Sequence, residues 1–245
     1  MHHLFLPLQA FLPDGTAQIT GLDFRHLSTV LRMREGERIV LLDGNGNAWQ
    51  SVLKTITKSM ILAEREEVFP LPPELGIEIT VAQALGKGDK FEQVLQHGTE
   101  VGASAFRAIS AERSVVEVPA SKVAERVERW RLIAKGASEQ SKRSRIPKVS
   151  EPFTLPELLR GTEGESVALL HTSSDAVPLK RWLLSCTQGA SLTLCIGPEG
   201  GWSEREVSAS LASNVTPVSL GHRVLRTETA ALVALSQILY QMENQ

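Results

Sequence analysis

The sequence has little cysteine and no excess of either charge, and each shortage narrows what the chain can do. Its 245 residues hold two cysteines, Cys186 and Cys195, which form no CxxC pair. That argues against a disulfide framework and a thiolate metal site and fits a reducing, cytoplasmic setting. Lys and Arg total 26 against 28 Asp and Glu, a formal net charge of -2. A chain so balanced has no global attraction for nucleic acid, so any RNA surface must come from local clusters of cations. No apolar run approaches the roughly 20 residues of a membrane span. No basic region, apolar core and cleavage site mark a signal peptide. GxxxxGK[ST] and a GxGxxG after a strand are both missing, which removes the common phosphate cradles. GxSxG is missing too, and neither cysteine has a base partner in view, so nucleophilic catalysis is not expected. The histidines His2, His3, His26, His97, His171 and His222 are scattered without ligand spacing, and no metal is expected.

What is present is an ordinary globular composition, 42% hydrophobic and 22% charged, at a length that suits one large or two modest domains. Residues 1–73 read as short strands: Arg38–Leu42, Ala48–Leu53 and Met60–Glu64, the first two separated by the turn Asp43-Gly44-Asn45-Gly46-Asn47. Asp23–Met33 carries one helical face, with Phe24, Leu27, Val30 and Leu31 inward. Strands at this spacing suggest a small barrel. Arg25, His26, Arg32, Arg34 and Arg38 cluster around that helix, either as a solvated face or as phosphate contacts. Pro70, Pro72 and Pro73 then stiffen the backbone, and a domain boundary is placed there.

From 74 to 245 strands and helices alternate, which predicts an α/β domain with a mainly parallel sheet. Ile77–Ala84 and Phe106–Ser110 are strand candidates, with a helix between them capped by Asp89 and Glu92 and stopped near Gly102. Ser121–Gln140 is the longest helix, facing inward with Val123, Val127, Trp130, Ala134 and Ala137. It runs into Lys142, Arg143, Arg145 and Lys148, which either complement the helix dipole or meet RNA phosphates. Ser166–His171 is a further buried strand, and Cys195 reads as a small core residue.

Two later strands, Leu192–Ile196 and Val215–Leu220, each end in a glycine-bearing turn followed by a helix start. The first turn is Gly197-Pro198-Glu199-Gly200-Gly201, leading to the capping pair Ser203 and Glu206; the second opens Gly221-His222-Arg223 and closes with Thr227 as a cap. Alone, each suits an ordinary structural turn, the second with an ion pair inside it. Together at two strand ends they are where an α/β sheet places a ligand. Pro198 removes an amide that a phosphate cradle would use, so the loops favour a neutral or cationic purine-bearing ligand.

These loops, IGPEGGWS at 196–203 and LGHRVLRTETA at 220–230, resemble the signature loops of the SPOUT methyltransferases, and more narrowly the RsmE family. The segment from His26 to Gly36, the stretch from Lys87 to Gly102, Glu112–Val116 and Glu139–Arg143 with Ile146-Pro147 extend the resemblance over nearly the whole chain. His97-Gly98, Val101 and His2-His3 depart from the family pattern. The resemblance implies a PUA-like or OB-like β-barrel followed by a trefoil-knotted α/β domain. It also implies S-adenosylmethionine as cofactor, a homodimer with the pocket at the subunit interface, and methylation of a uridine imide nitrogen in 16S ribosomal RNA of the small subunit. By motif, the cofactor is expected against Leu170, His171, Ile196, Gly197, Pro198, Glu199, Gly200, Gly201, Leu220, Gly221, Val224, Leu225, Arg226 and Thr229. Arg226 is expected to act on the uracil carbonyls, with Arg143 or Arg113 reaching from a partner subunit and Glu199 or Glu228 as base. RNA contacts are expected from Arg25, Arg32, Arg34, Lys87, Arg113, Lys142, Arg143 and Arg145. The rivals are an RNA-binding module without catalysis, a related methyltransferase acting on another RNA, and a nucleotide-dependent α/β enzyme of another class.

Overall fold

The computed structural model describes residues 1–162, 164–186, 189 and 191–243. The chain forms two compact units: one of Met1–Glu74 with Ser138–Ile146, the other of Leu75–Ala137 with the chain from Pro147 onward.

The first unit is a five-stranded mixed sheet of β1 (His2–Phe5), β2 (Thr16–Thr20), β3 (Arg38–Leu42), β4 (Ala48–Ile56) and β5 (Met60–Val68), ordered β1-β3-β4-β5-β2. β1 runs parallel to β3 and every other pairing is antiparallel. The sheet is curled, and because β1 and β2 remain as its two edges it is a half-barrel. Register shifts at Gln50/Ser51 and Leu53/Thr55 mark irregularities in β4, the places where a strand bends. The inner face buries Leu4, Ile19, Ile39, Leu41, Leu53 and Ile61. At the turn before β4, the Asp43 carboxylate accepts the amides of Asn45 and Asn47 at 2.8 and 3.1 Å. The single helical face expected over 23–33 is not kept. α1 (Gly21–Arg25) passes into a π-helical turn at His26–Val30, which breaks the 3.6-residue period. Leu27 stays buried while Val30 turns outward, 67% exposed.

The second unit is built on a seven-stranded parallel sheet of β6 (Ile79–Ala84), β7 (Ala105–Ser110), β8 (Lys148–Thr154), β9 (Ser166–Leu170), β10 (Val177–Pro178), β11 (Leu192–Ile196) and β12 (Thr216–Ser219). Its order is β10-β12-β9-β11-β6-β7-β8. β6 and β11 are buried along their whole lengths, as strands covered on both faces must be. β11 enters between β6 and β9 after both are laid down, and interleaving of this kind is what a knotted α/β path requires.

The helices are α2 (Lys90–Glu100), α3 (Val123–Ser141), α4 (Leu155–Arg160), α5 (Leu179–Ser185), α6 (Glu204–Ala212) and α7 (Thr227–Glu243). α3 buries Val127, Trp130, Ala134 and Ala137. The Ser203–Glu206 capping box forms, and Thr154–Glu157 makes a second one on α4. The expected box at α2 does not: Asp89 has φ -99° and ψ 12° instead of the extended backbone of a cap and its side chain makes no cap bond, while the Glu92 carboxylate pairs with Arg129 at 2.7 Å and Arg126 at 3.8 Å. Among the described residues no helix is long and apolar enough to cross a membrane.

Candidate active site

A cleft of 740 Å³ opens where β9, β11 and β12 end. These strands are neighbours, with β9 in the middle, so three consecutive strand ends meet there. Leu170, Ile196 and Val218 supply apolar lining, and the walls are the two glycine-bearing loops. Gly201 and Gly221 have φ of +68° and +112°, which side-chain-bearing residues rarely adopt. Gly197 is required for another reason. A Cβ there would lie 3.1 Å from the indole nitrogen of Trp202. That indole is buried and donates to the Leu170 carbonyl at 3.3 Å, so it cannot easily give way.

Thr227 joins the two loops. Its hydroxyl donates to the Gly197 carbonyl at 2.6 Å and accepts from Gln83 Nε2 at 2.6 Å. The expected cap is thus replaced by a bond across the cleft. Gln83, next to last in β6, is nearly fully buried, and its other amide atom, Oε1, accepts no hydrogen bond. Lys90, at the start of α2, lies 2.7 Å from Glu199 Oε1 and 3.7 Å from Glu228 Oε2. The hydrogen bond from Lys90 holds the Glu199 carboxyl below the usual carboxylate range, and the same bond raises the Lys90 ammonium. Arg113 donates to the Gly200 carbonyl at 3.2 Å. Cys195 is fully buried behind the cleft, and burial pushes its thiol up to about 12, far from reactive.

Of the residues expected against the cofactor, Leu170, His171, Ile196, Gly197, Pro198, Glu199, Gly200, Gly201, Leu220, Gly221, Val224, Leu225 and Arg226 all line this cleft. Thr229 does not, and Thr227, two residues earlier, takes a place there. Arg113 is part of the lining, as is Arg223, while His222 is not. Glu228 stands behind Lys90, outside the lining. Lys87 is exposed on the loop before α2. Arg25, Arg32, Arg34, Lys142 and Arg145 are exposed on the first unit. Arg143 belongs to that unit too, where its guanidinium grips Glu74 at 2.6 Å and is only 10% exposed. Sequence reasoning missed Lys90, Trp202 and Gln83. Gln83 carried a signal, as a polar side chain in an otherwise apolar strand; Lys90 reads as an ordinary first-turn cation.

Comparison with known proteins identifies the family. A family described as RNA methyltransferase domain matches residues 73–239, and one described as RNA methyltransferase PUA domain matches residues 19–64. The ribosomal RNA small subunit methyltransferase E of Bacillus subtilis is 37% identical over 93% of this chain and 91% of its own length. Its namesake in Synechocystis is 35% identical over 94% and 75%. Among solved structures, a putative methyltransferase from Legionella pneumophila in complex with bound SAM superposes with a TM-score of 0.90 at 29% identity, covering 98% of this chain and 97% of its own. A ribosomal RNA small subunit methyltransferase E from Neisseria gonorrhoeae bound to S-adenosyl methionine gives 0.87 at 29% identity, covering 98% of each. With a matching domain family over most of its length and relatives this similar end to end, the chain belongs to the ribosomal RNA small subunit methyltransferase E family.

Proposed function

We propose that this protein transfers a methyl group from S-adenosylmethionine to the N3 imide nitrogen of a uridine in small-subunit ribosomal RNA, with the cofactor in the cleft at the ends of β9, β11 and β12. The observation that carries this is the meeting of both glycine-bearing loops in one cleft, tied by Thr227 to the Gly197 carbonyl. The residues fit such a cofactor. Glycine loops leave backbone amides and carbonyls open to a purine and ribose, and Leu170, Ile196 and Val218 offer apolar contact. When bound, the cofactor supplies an electrophilic methyl on a sulfonium.

The chain's own residues have the remaining tasks. The imide nitrogen is protonated near neutral pH and nucleophilic only as the anion, whose charge spreads to the two flanking carbonyl oxygens. Arg226 is exposed on the second loop and lines the cleft, where a guanidinium stabilises that charge. Holding the base in line contributes in the same direction, since alignment alone can remove about 7–11 kcal/mol from a barrier. Glu199, held by Lys90, is a weak proton acceptor in this arrangement.

RNA docking falls to Arg25, Arg32 and Arg34 around α1 and its π turn, to Lys142 and Arg145, and to Lys87 and Arg113 near the cleft, all exposed. Phosphate contacts from such residues weaken with salt. The functional form is a homodimer: Val224 lines the cleft yet is 84% exposed, an apolar side chain left for a second subunit to cover. The test is mapping of modified uridines in ribosomal RNA from cells lacking the protein. One methylated N3 position should disappear and return with the wild-type protein but not with Arg226→Ala. An unchanged map, with methylation of small subunits by the purified protein also absent, overturns the proposal.

A further inference from the structure

Lys90 faces two carboxylates and satisfies only one. Its ammonium is 2.7 Å from Glu199 Oε1, a hydrogen-bonded ion pair at the cleft lining. The second carboxylate, Glu228, presents Oε2 at 3.7 Å, beyond hydrogen-bond reach. That oxygen is buried and accepts no hydrogen bond. A buried acceptor without a donor is costly, and the four-carbon side chain of Lys90 has the torsional freedom to carry its ammonium to it. Lys90 therefore has a second seat waiting beside its present one.

The two seats differ in what they leave behind. With Lys90 on Glu199, the carboxylate at the cleft is neutralised. With Lys90 on Glu228, which stands outside the lining, the Glu199 charge is released into the cleft. A ligand carrying positive charge on its sulfonium and amino groups favours the second arrangement, and a ligand without the sulfonium favours it less. Only such a difference in affinity between two states can shift a population.

We propose that Lys90 is a positioning residue that moves from Glu199 to Glu228 when the cofactor enters, leaving the Glu199 carboxylate to face the cofactor's positive charge. This rests on the reading of the cleft as the cofactor site. It assigns Lys90 and Glu228 to selecting the charged methyl donor over its neutral thioether product, S-adenosylhomocysteine.

Titration calorimetry with the two ligands, on the full-length protein and three isosteric or near-isosteric variants, tests this. Glu199→Gln should lower the ratio of donor to product affinity by about twofold to fivefold, the range of a partly exposed charge pair. Glu228→Gln should lower it in the same sense, because Lys90 loses its alternative seat. Lys90→Met should keep or raise the ratio, with the Glu199 charge permanently released. Equal ratios in wild type and Glu199→Gln overturn the proposal, as does an equal loss of both ligands in all three variants, which marks a purely structural role. Gly221→Val separates the proposal from the reading beneath it. If it leaves both affinities untouched, the cleft is not the cofactor site. If it weakens both while Glu199→Gln leaves the ratio unchanged, the Lys90 exchange alone falls.

Discussion

Arg226 and Thr227 are adjacent, yet on the proposed function their side chains serve different steps, one the chemistry and the other cofactor binding. Arg226 is exposed on the lining, and its guanidinium makes no hydrogen bond or ion pair among the described residues. Arg226→Ala should lower kcat by about a hundredfold, the usual cost of one donor aimed at developing charge, with cofactor affinity nearly unchanged. A single-turnover methylation assay beside calorimetry checks this; a drop in cofactor affinity equal to the drop in rate would make Arg226 a binding residue instead. Thr227 is buried and holds the loops together. Thr227→Val keeps the shape, removes the hydroxyl, and leaves Gln83 Nε2 and the Gly197 carbonyl without this partner. At about 1–3 kcal/mol for stranded buried groups, it should weaken cofactor binding at least several-fold while kcat at saturation changes less. A calorimetric Kd indistinguishable from wild type would show that the loops keep their places without this bond. The two residues were not equally legible. Arg226 stands in a motif, and its place on the cleft lining is legible from that motif. Thr227 was read as a helix cap because Ser, Thr and Asp before a helix usually are, and no local pattern shows that the Gly197 carbonyl, thirty residues away, competes for the hydroxyl.

At the scale of elements, legibility followed burial and length. β6 and β11 are mostly apolar, fully buried strands and were plain in the sequence, and so was the Ser203–Glu206 start of α6. β1, with four residues, and β2, with five, were missed, although Ala17 and Ile19 alternate inward along β2. The π turn at His26–Val30 hid itself differently, since a change of helical period leaves the same residues in the sequence and alters only which of them point inward. α2 shows how a residue that reads as a weakness can be a packing requirement. Gly98 lies in its interior, where glycine costs about 1 kcal/mol against alanine. A Cβ there would lie 2.9 Å from the Phe106 ring on β7. The helix gives up propensity so that its backbone can lie against a large aromatic side chain that is itself fully buried. Gly98→Ala should therefore destabilise the protein by about 1–3 kcal/mol, as overpacking does, despite the better helix former. Adding Phe106→Leu should recover part of that loss. Thermal unfolding of both variants decides it; a single Gly98→Ala variant that melts higher than wild type would mean that the ring moves aside freely.

For the whole molecule the informative feature is a pairing between distant stretches. Glu74 closes the first stretch of the first unit, and residues Ser138–Ile146 return to that unit much later in the chain. The two are held by one carboxylate: Glu74 accepts from Arg143 Nη2 at 2.6 Å, from the Ser144 amide at 3.0 Å and hydroxyl at 2.9 Å, and from the Arg145 amide at 3.2 Å. Glu139 adds a second tie by accepting the Phe5 amide at 2.9 Å. In the sequence this stretch reads as cations at a helix end, for solvent or for RNA, because a carboxylate 69 residues away leaves no mark on local spacing. Burial alone would raise the Glu74 carboxyl, but the Arg143 and Ser144 hydrogen bonds outweigh it and hold the group below its ordinary value. A carboxyl depressed in the folded state contributes stability that is present above the unfolded value, about 4.3, and is lost as pH falls through the lower folded one. Glu74→Gln should cost about 1–3 kcal/mol at pH 7, between the limits for exposed and buried pairs, which is several degrees in melting temperature. The gap between variant and wild type should then narrow steadily as the solution is acidified below pH 5, because the wild-type carboxyl loses its charge while the amide has none to lose. Melting curves of the two proteins from pH 7 down to the acid limit of folding read this directly. A gap that stays constant over that range would assign the tie to neutral hydrogen bonds, with the Arg143 charge contributing nothing to it.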